Sequence, residues 1–146
     1  MIWPAGEFEI QRLPTILLES KIVLDASSLL ALLNDEPGAD KLTPELLRVA
    51  TSSTVNLAEV QSKLVSRGID PEDAWEATLS PIREATVFTN EQAKIAGSLV
   101  AQTSPLGLSL GDRACLALGI ALKAPVYTAD RSWKNLKLGI RILVVR

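Results

Sequence analysis

The sequence contains no histidine, one cysteine, one methionine and only 4% aromatic residues. Without histidine, Ser-His-Asp and Cys-His catalysis are excluded, and so is the paired-histidine acid/base route to RNA cleavage. Histidine-bearing zinc sites are excluded with them, and one cysteine cannot supply a cysteine-only site. Acid/base chemistry near neutral pH therefore falls to carboxylates, lysine, tyrosine or metal-bound water. Cys115 cannot form an internal disulfide. Between Ala114 and Leu116 it reads as a small buried hydrophobe, and the expected setting is a reducing cytoplasm. No apolar stretch approaches the roughly 18 residues of a membrane helix. Residues 1–7 lack a basic start followed by an apolar run, so no secretory signal is read there.

What is present suits a single globular domain: 146 residues, 47% of them hydrophobic. The formal net charge is −2, from 15 basic and 17 acidic residues, which gives no strongly basic face for non-specific nucleic-acid binding. From Lys21 onward, short β-rich runs alternate with helical stretches, the pattern of βαβ units and a parallel sheet. Strands are expected at 21–25, 49–55, 84–89, 125–129 and 140–145. Helices are expected at 27–33, 39–47, 57–67, from Pro71 onward, at 91–102 and at 111–123. Gly68 closes one helix, and Asp70-Pro71 opens the next with a cap and a first-turn proline. Residues 1–20, interrupted by Pro4, Gly6 and Pro14, have no place in this pattern and read as a peripheral N-terminal extension to a domain at 21–146.

Four acids stand where strands give way to helices: Asp25, Glu59, Asp112 and Asp130. In an open parallel sheet, ligands bind just outside the carboxyl ends of the strands, so acids arriving there from distant segments can share one pocket. Packed together they repel unless neutralised, and a hard divalent cation on carboxylate oxygens is the natural neutraliser. Without these four, the remaining acids would be outnumbered by the 15 bases. Each acid also has a plain structural account. Asn56-Leu57-Ala58-Glu59 and Ser109-Leu110-Gly111-Asp112 have capping-box spacing, and Asp25 and Asp130 can cap the helices that follow them. Capping and metal binding are compatible, because a helix N-terminus favours nearby carboxylates.

The motifs around these acids are specific when taken together. Val23-Leu24-Asp25-Ala26-Ser27-Ser28 and the leucine-rich run after it resemble the opening of PIN-domain ribonucleases, as does the turn Asn34-Asp35-Glu36-Pro37-Gly38. Asn56-Leu57-Ala58-Glu59-Val60 resembles the family's second-acid helix. Leu108-Ser109-Leu110-Gly111-Asp112-Arg113-Ala114-Cys115 looks like the third-acid helix of VapC toxins within that family. Val126-Tyr127-Thr128-Ala129-Asp130-Arg131 resembles the fourth-acid strand end. The resemblance spans about residues 21–146 in the right order and has no counterpart for 1–20.

The resemblance implies an α/β fold with three layers, α/β/α, around a mostly parallel sheet of four or five strands. It implies an endoribonuclease dependent on Mg²⁺ or Mn²⁺, acting as the toxin of a type II toxin–antitoxin pair. Asp25 and Asp112 would be the principal metal ligands, with Glu59 and Asp130 completing the catalytic cluster. Ser27, two residues beyond Asp25, is a candidate for contact with a substrate phosphate; a plain helix cap is the other reading. Arg113 and Arg131, beside two of the acids, are further candidates, though surface or ion-pair roles fit them too. Metal-activated water as nucleophile would leave 5′-phosphate and 3′-hydroxyl ends. An RNA substrate, transfer RNA among the candidates, a VapB-like antitoxin and a homodimer are the partners implied. Trp133 is expected in the core beneath the last short helix, and Trp75 at a partner interface.

Other classes fit less well. An aspartyl-phosphate phosphatase would need an aspartate where Ser27 stands, and a receiver domain would need an acid pair that 21–28 lacks, despite Lys123-Ala124-Pro125. A catalytically silent PIN-like module for binding RNA or protein is the remaining alternative, and the presence of all four acids argues against it.

Overall fold

The computed structural model describes residues 21–146; the expected extension over 1–20 lies outside the described residues. Five strands form one sheet: β1 (Ile22–Leu24), β2 (Ala50–Ser53), β3 (Glu84–Thr86), β4 (Val126–Thr128) and β5 (Ile142–Val144). Their order is β3-β2-β1-β4-β5, and every neighbouring pair is parallel. All five lie within the regions expected from the sequence, and the four-or-five alternative resolves to five. From β1 the chain steps outward to β2 and β3, then returns to the other side of β1 for β4 and β5. The strand order therefore reverses between β1 and β4, which is where a crevice opens in folds of this class.

Among the described residues there are seven α-helices. They are α1 (Ala26–Leu33), α2 (Pro44–Leu47), α3 (Thr54–Ser66), α4 (Pro71–Leu79), α5 (Asn90–Ser98), α6 (Val100–Thr103) and α7 (Leu110–Leu122). Two expected helices are broken. Residues 39–47 form a 3₁₀ turn, Ala39–Lys41, and then the separate α2, because Pro44 has no N–H to continue the earlier turn. Thr43 caps the new start by accepting from Leu46 N. Residues 91–102 divide at Leu99 into α5 and α6. The hydroxyls of Ser98 and Thr103 bond back to the carbonyls of Lys94 and Leu99, at 2.8 Å each, a pattern that bends helices. A third difference matters for the site: α3 starts at Thr54 under a Ser53 cap, so Asn56 lies inside the helix and is not its cap.

The sheet is covered on both faces. Ile22 and Leu24 of β1 pack with Leu29 of α1, Leu57, Val60 and Leu64 of α3 and Ala74 of α4. Val23, between them, points the other way and packs with Cys115, Leu116 and Leu118 of α7, Val126 and Trp133. This strand alternation makes two cores and three layers. Trp133 is fully buried, as expected, while Trp75 is half-buried and packs against the first core. Gly38 has φ +100°, and a Cβ there would run into the backbone of Val145, so the turn before α2 requires glycine.

Candidate active site

Asp25 is the first residue after β1 and caps α1, accepting from Ser28 N at 2.8 Å. Ser27 Oγ donates to the same carboxylate, 2.8 Å from each oxygen. Thr128 Oγ1, at the end of β4, donates to Oδ2 at 2.6 Å across the point where the strand order reverses. Asp25 is 3% exposed. Burial pushes its pKa up from 3.8 to about 6, against hydrogen bonds that pull it down, the one from Thr128 foremost. A buried carboxylate raised this way favours a positive charge nearby, and no Lys or Arg pairs with it among the described residues.

Asp112 lies in the first turn of α7, inside the capping box expected from the sequence. Asp112 N donates to Ser109 Oγ at 3.1 Å, and Ser109 N donates to Asp112 Oδ2 at 2.9 Å. Glu59 reaches the same place from α3. Asn56 Nδ2, buried one turn earlier, donates to Glu59 Oε1 at 2.9 Å and to the Gly111 carbonyl at 3.0 Å, tying α3 to α7. A Cβ on Gly111 would overlap the Glu59 carboxylate, so only glycine leaves room for it there. The buried thiol of Cys115, one turn beyond Asp112, reports the crowding. Burial pushes its pKa well up, and the charges of Asp25, Asp112 and Glu59 push it further.

Asp130 is exposed and caps the 3₁₀ turn Arg131–Asn135, accepting from Ser132 N at 2.9 Å. Its own N–H donates to Thr128 Oγ1 at 3.0 Å, so the hydroxyl bonded to Asp25 also sets the backbone of Asp130. One cleft of about 430 Å³ is lined by Asp25, Ser27, Glu59, Asp112 and Asp130. Four carboxylates from four separate segments thus meet outside the carboxyl ends of β1 and β4.

The family model for the PIN domain matches residues 22–138. This chain belongs to the PIN domain family. Among solved structures, the PIN fold here is similar to a toxin–antitoxin complex from Klebsiella pneumoniae, with TM-score 0.69 and 15% identity over 86% of this chain and 98% of that one. It is similar to VapBC2 from Rickettsia felis, determined bound to a DNA fragment from its promoter, with TM-score 0.63 and 22% identity over 83% and 96% of the two chains. It is also similar to a sarcin-ricin loop cleaving VapC toxin from Mycobacterium tuberculosis, with TM-score 0.66 and 19% identity over 83% and 99%. No curated protein matches the sequence.

PIN domains work with divalent metal ions, and the donor chemistry here fits one. All four acids offer hard oxygens, and none is ion-paired among the described residues. Asp112 Oδ2 and Glu59 Oε1 are held by protein donors, which orients each carboxylate and leaves Asp112 Oδ1 and Glu59 Oε2 for a ligand. Among the described residues no three such groups are drawn in tightly enough to enclose an ion by themselves.

The PIN domain's remaining nominated residues fall differently. Ser27 lines the cleft, but its hydroxyl is occupied: it donates to Asp25 and accepts from Ala129 N at 2.9 Å. Arg113 Nη1 donates to the Ala96 carbonyl at 2.9 Å, tying α7 to α5, and neither Arg113 nor Arg131 lines the cleft. Sequence reasoning missed Thr128, Gly111 and the bridging role of Asn56. It also missed Lys63 and Arg67, which line the cleft from α3. A Thr-x-Asp strand end was a usable signal for Thr128; nothing in the sequence pointed Lys63 or Arg67 toward the acids except helical spacing from Glu59.

Proposed function

We propose that this chain is a Mg²⁺- or Mn²⁺-dependent endoribonuclease, the toxin of a type II toxin–antitoxin pair. The observation that carries the reading is the convergence of Asp25, Glu59, Asp112 and Asp130 on one cleft, with none of the four ion-paired among the described residues. Asp25 and Asp112 are the proposed principal ligands, with Glu59 and Asp130 completing the set. When bound, the cation supplies positive charge against a phosphate and a more acidic water. The chain's own contribution is orientation. Ser27, Ser28 and Thr128 hold the Asp25 carboxylate, Ser109 holds Asp112, and Asn56 holds Glu59. Water as nucleophile leaves 5′-phosphate and 3′-hydroxyl ends and has no need of the RNA 2′-hydroxyl.

The partners follow from the same reading. An acidic cleft accepts a guanidinium well, so a VapB-like antitoxin that inserts an arginine would block it. Homodimerisation and an RNA target such as transfer RNA are part of the proposal.

The test is cleavage of RNA by the purified protein with Mg²⁺ or Mn²⁺, set beside Asp25→Asn and a chelator control. Metal-dependent cleavage that Asp25→Asn abolishes is the expected result, with products that ligate through a 5′-phosphate. Equal cleavage by both proteins removes Asp25 from the mechanism, and 2′,3′-cyclic phosphate ends overturn the water route. The absence of three acids already enclosing a point favours a second reading, a PIN domain that binds without cutting. RNA binding without cleavage under either metal would select it.

A further inference from the structure

The cleft is electrically two-sided. Its acids come from the ends of β1 and β4 and from α3 and α7, while three of its lining residues are basic: Lys63, Arg67 and Arg146. Glu59, Lys63 and Arg67 are spaced four residues apart on α3, so they follow one face in steps of about 6 Å along the helix axis. Arg67 lies just past the last turn, as the C-cap of α3.

These cations differ in what occupies them. Arg146 Nη2 pairs with Glu36 Oε1 at 3.1 Å. Arg67 Nη1 donates only to the neutral Asn34 Oδ1, at 3.2 Å, and Asn34 in turn donates to Glu36 Oε2 at 3.2 Å. Lys63 and Arg67 are exposed and form no ion pair among the described residues. Arg113, next to Asp112 in sequence, is committed to the Ala96 carbonyl and does not line the cleft. Among the described residues that line the cleft, the cations outside any ion pair are therefore Lys63 and Arg67, at the edge formed by α3 and α1.

We propose that Lys63 and Arg67 form a phosphate track, receiving the sugar-phosphate backbone of single-stranded RNA on one side of the scissile bond. The track rests on the nuclease reading for where the bond is cut. Lys63 acts as a mobile point charge, and Arg67, braced by Asn34, presents a planar fork suited to phosphate oxygens. Both read backbone and not base, so they position the strand without specifying its sequence. An RNA strand thus leaves the acids over α3 and α1 and not over α5 and α7. Lys63 and Arg67 are positioning residues, distinct from the acids that act on the reacting phosphate.

The experiment measures binding of a mixed-sequence single-stranded RNA oligonucleotide to the Asp25→Asn chain across a salt series. The same comparison is made with Lys63→Ala/Arg67→Ala added, and with the charge-preserving Lys63→Arg/Arg67→Lys. The alanine pair should weaken binding about tenfold or more and flatten the salt dependence by about 0.7 per lost contact. With an otherwise wild-type chain, KM for cleavage should rise while kcat stays within about twofold. The charge-preserving pair should keep the salt slope of the parent and lose only the part of the affinity that the Arg67 fork supplies.

An unchanged affinity and salt slope in the alanine pair overturns the track, as does failure of the Asp25→Asn chain to bind RNA. Unchanged RNA binding with lost binding of a poly-glutamate peptide assigns the surface to an acidic protein segment and also overturns it. Cleavage intact with binding indifferent to Lys63 and Arg67 removes the track and leaves the nuclease reading standing. Binding that depends on them in a chain that cuts nothing leaves the track and removes the nuclease reading.

Discussion

The carboxylate of Glu59 occupies the space that a Cβ at residue 111 would fill. Two helices, α3 and α7, are thereby packed at a distance set by the smallest side chain, and Asn56 locks the pair through the Gly111 carbonyl. Gly111→Ala should displace Glu59 without unfolding the chain, since the end of a flexible side chain can move. Alanine also adds about 0.5–1 kcal/mol of helix propensity, so the thermal midpoint should change little. Cleavage should fall about 10–100-fold, the usual cost of disturbing the support of a metal ligand, and should need more Mg²⁺ or Mn²⁺. Activity and metal titration curves matching wild type would separate Glu59 from the site.

Asp25 links stability to pH. Its pKa is about 6 in the folded chain against 3.8 ordinarily, so the folded state keeps a proton that the unfolded state has released. Stability of the metal-free protein therefore falls as pH rises through that interval and is level above it. The full loss is on the order of 3 kcal/mol at most. Asp25→Asn removes the buried charge. Its thermal midpoint in chelator should exceed wild type near pH 8, and the gap should close near pH 4, about where the unfolded carboxyl titrates. A gap independent of pH would show that Asp25 is not the titrating group.

Thr128→Val removes the hydrogen bond that most lowers the pKa of Asp25. The acid limb of the pH–rate profile should shift to higher pH by about one unit, the worth of a hydrogen bond to a charged group. Activity near pH 6 should suffer more than activity near pH 8. Equal losses at both pH values would point to a purely structural role, through the Asp130 N–H that Thr128 also accepts.

Asn56 gives a comparison of two substitutions. Its Nδ2 serves two acceptors while its Oδ1 is buried without a partner. Asn56→Ala should cost about 1–2 kcal/mol, because the unpartnered oxygen leaves together with the useful amide. Asn56→Asp sets a second carboxylate against Glu59 and a carbonyl, and should cost about 1–3 kcal/mol more at neutral pH. Urea denaturation of both variants without metal checks the order; equal midpoints contradict it.

The strands were legible because their apolar runs are separated by turn residues, and all five fall inside the expected ranges. Helix interruptions were less so. The break at Pro44 follows a rule that the sequence displays, whereas the division at Leu99 depends on hydroxyls turning back to their own helix. The Asn56–Glu59 spacing suggested a capping box, but Ser53 took the cap and freed the amide to reach across to α7.

By itself, the sequence determined which chemistry is open to this protein. With no histidine and one cysteine, its candidate ligands are carboxylate oxygens, so hard-metal oxygen chemistry is what its residue types allow. The ordered motifs determined the family. Only the tertiary structure decided which neighbours those acids have. Thr128 reaches Asp25 across 103 residues of chain, while Arg113, next to Asp112 in sequence, turns away to α5. The reason is geometric: successive residues on a helix point about 100° apart, so adjacency along the chain says little about sharing a cleft. The reversal of strand order between β1 and β4 says much more.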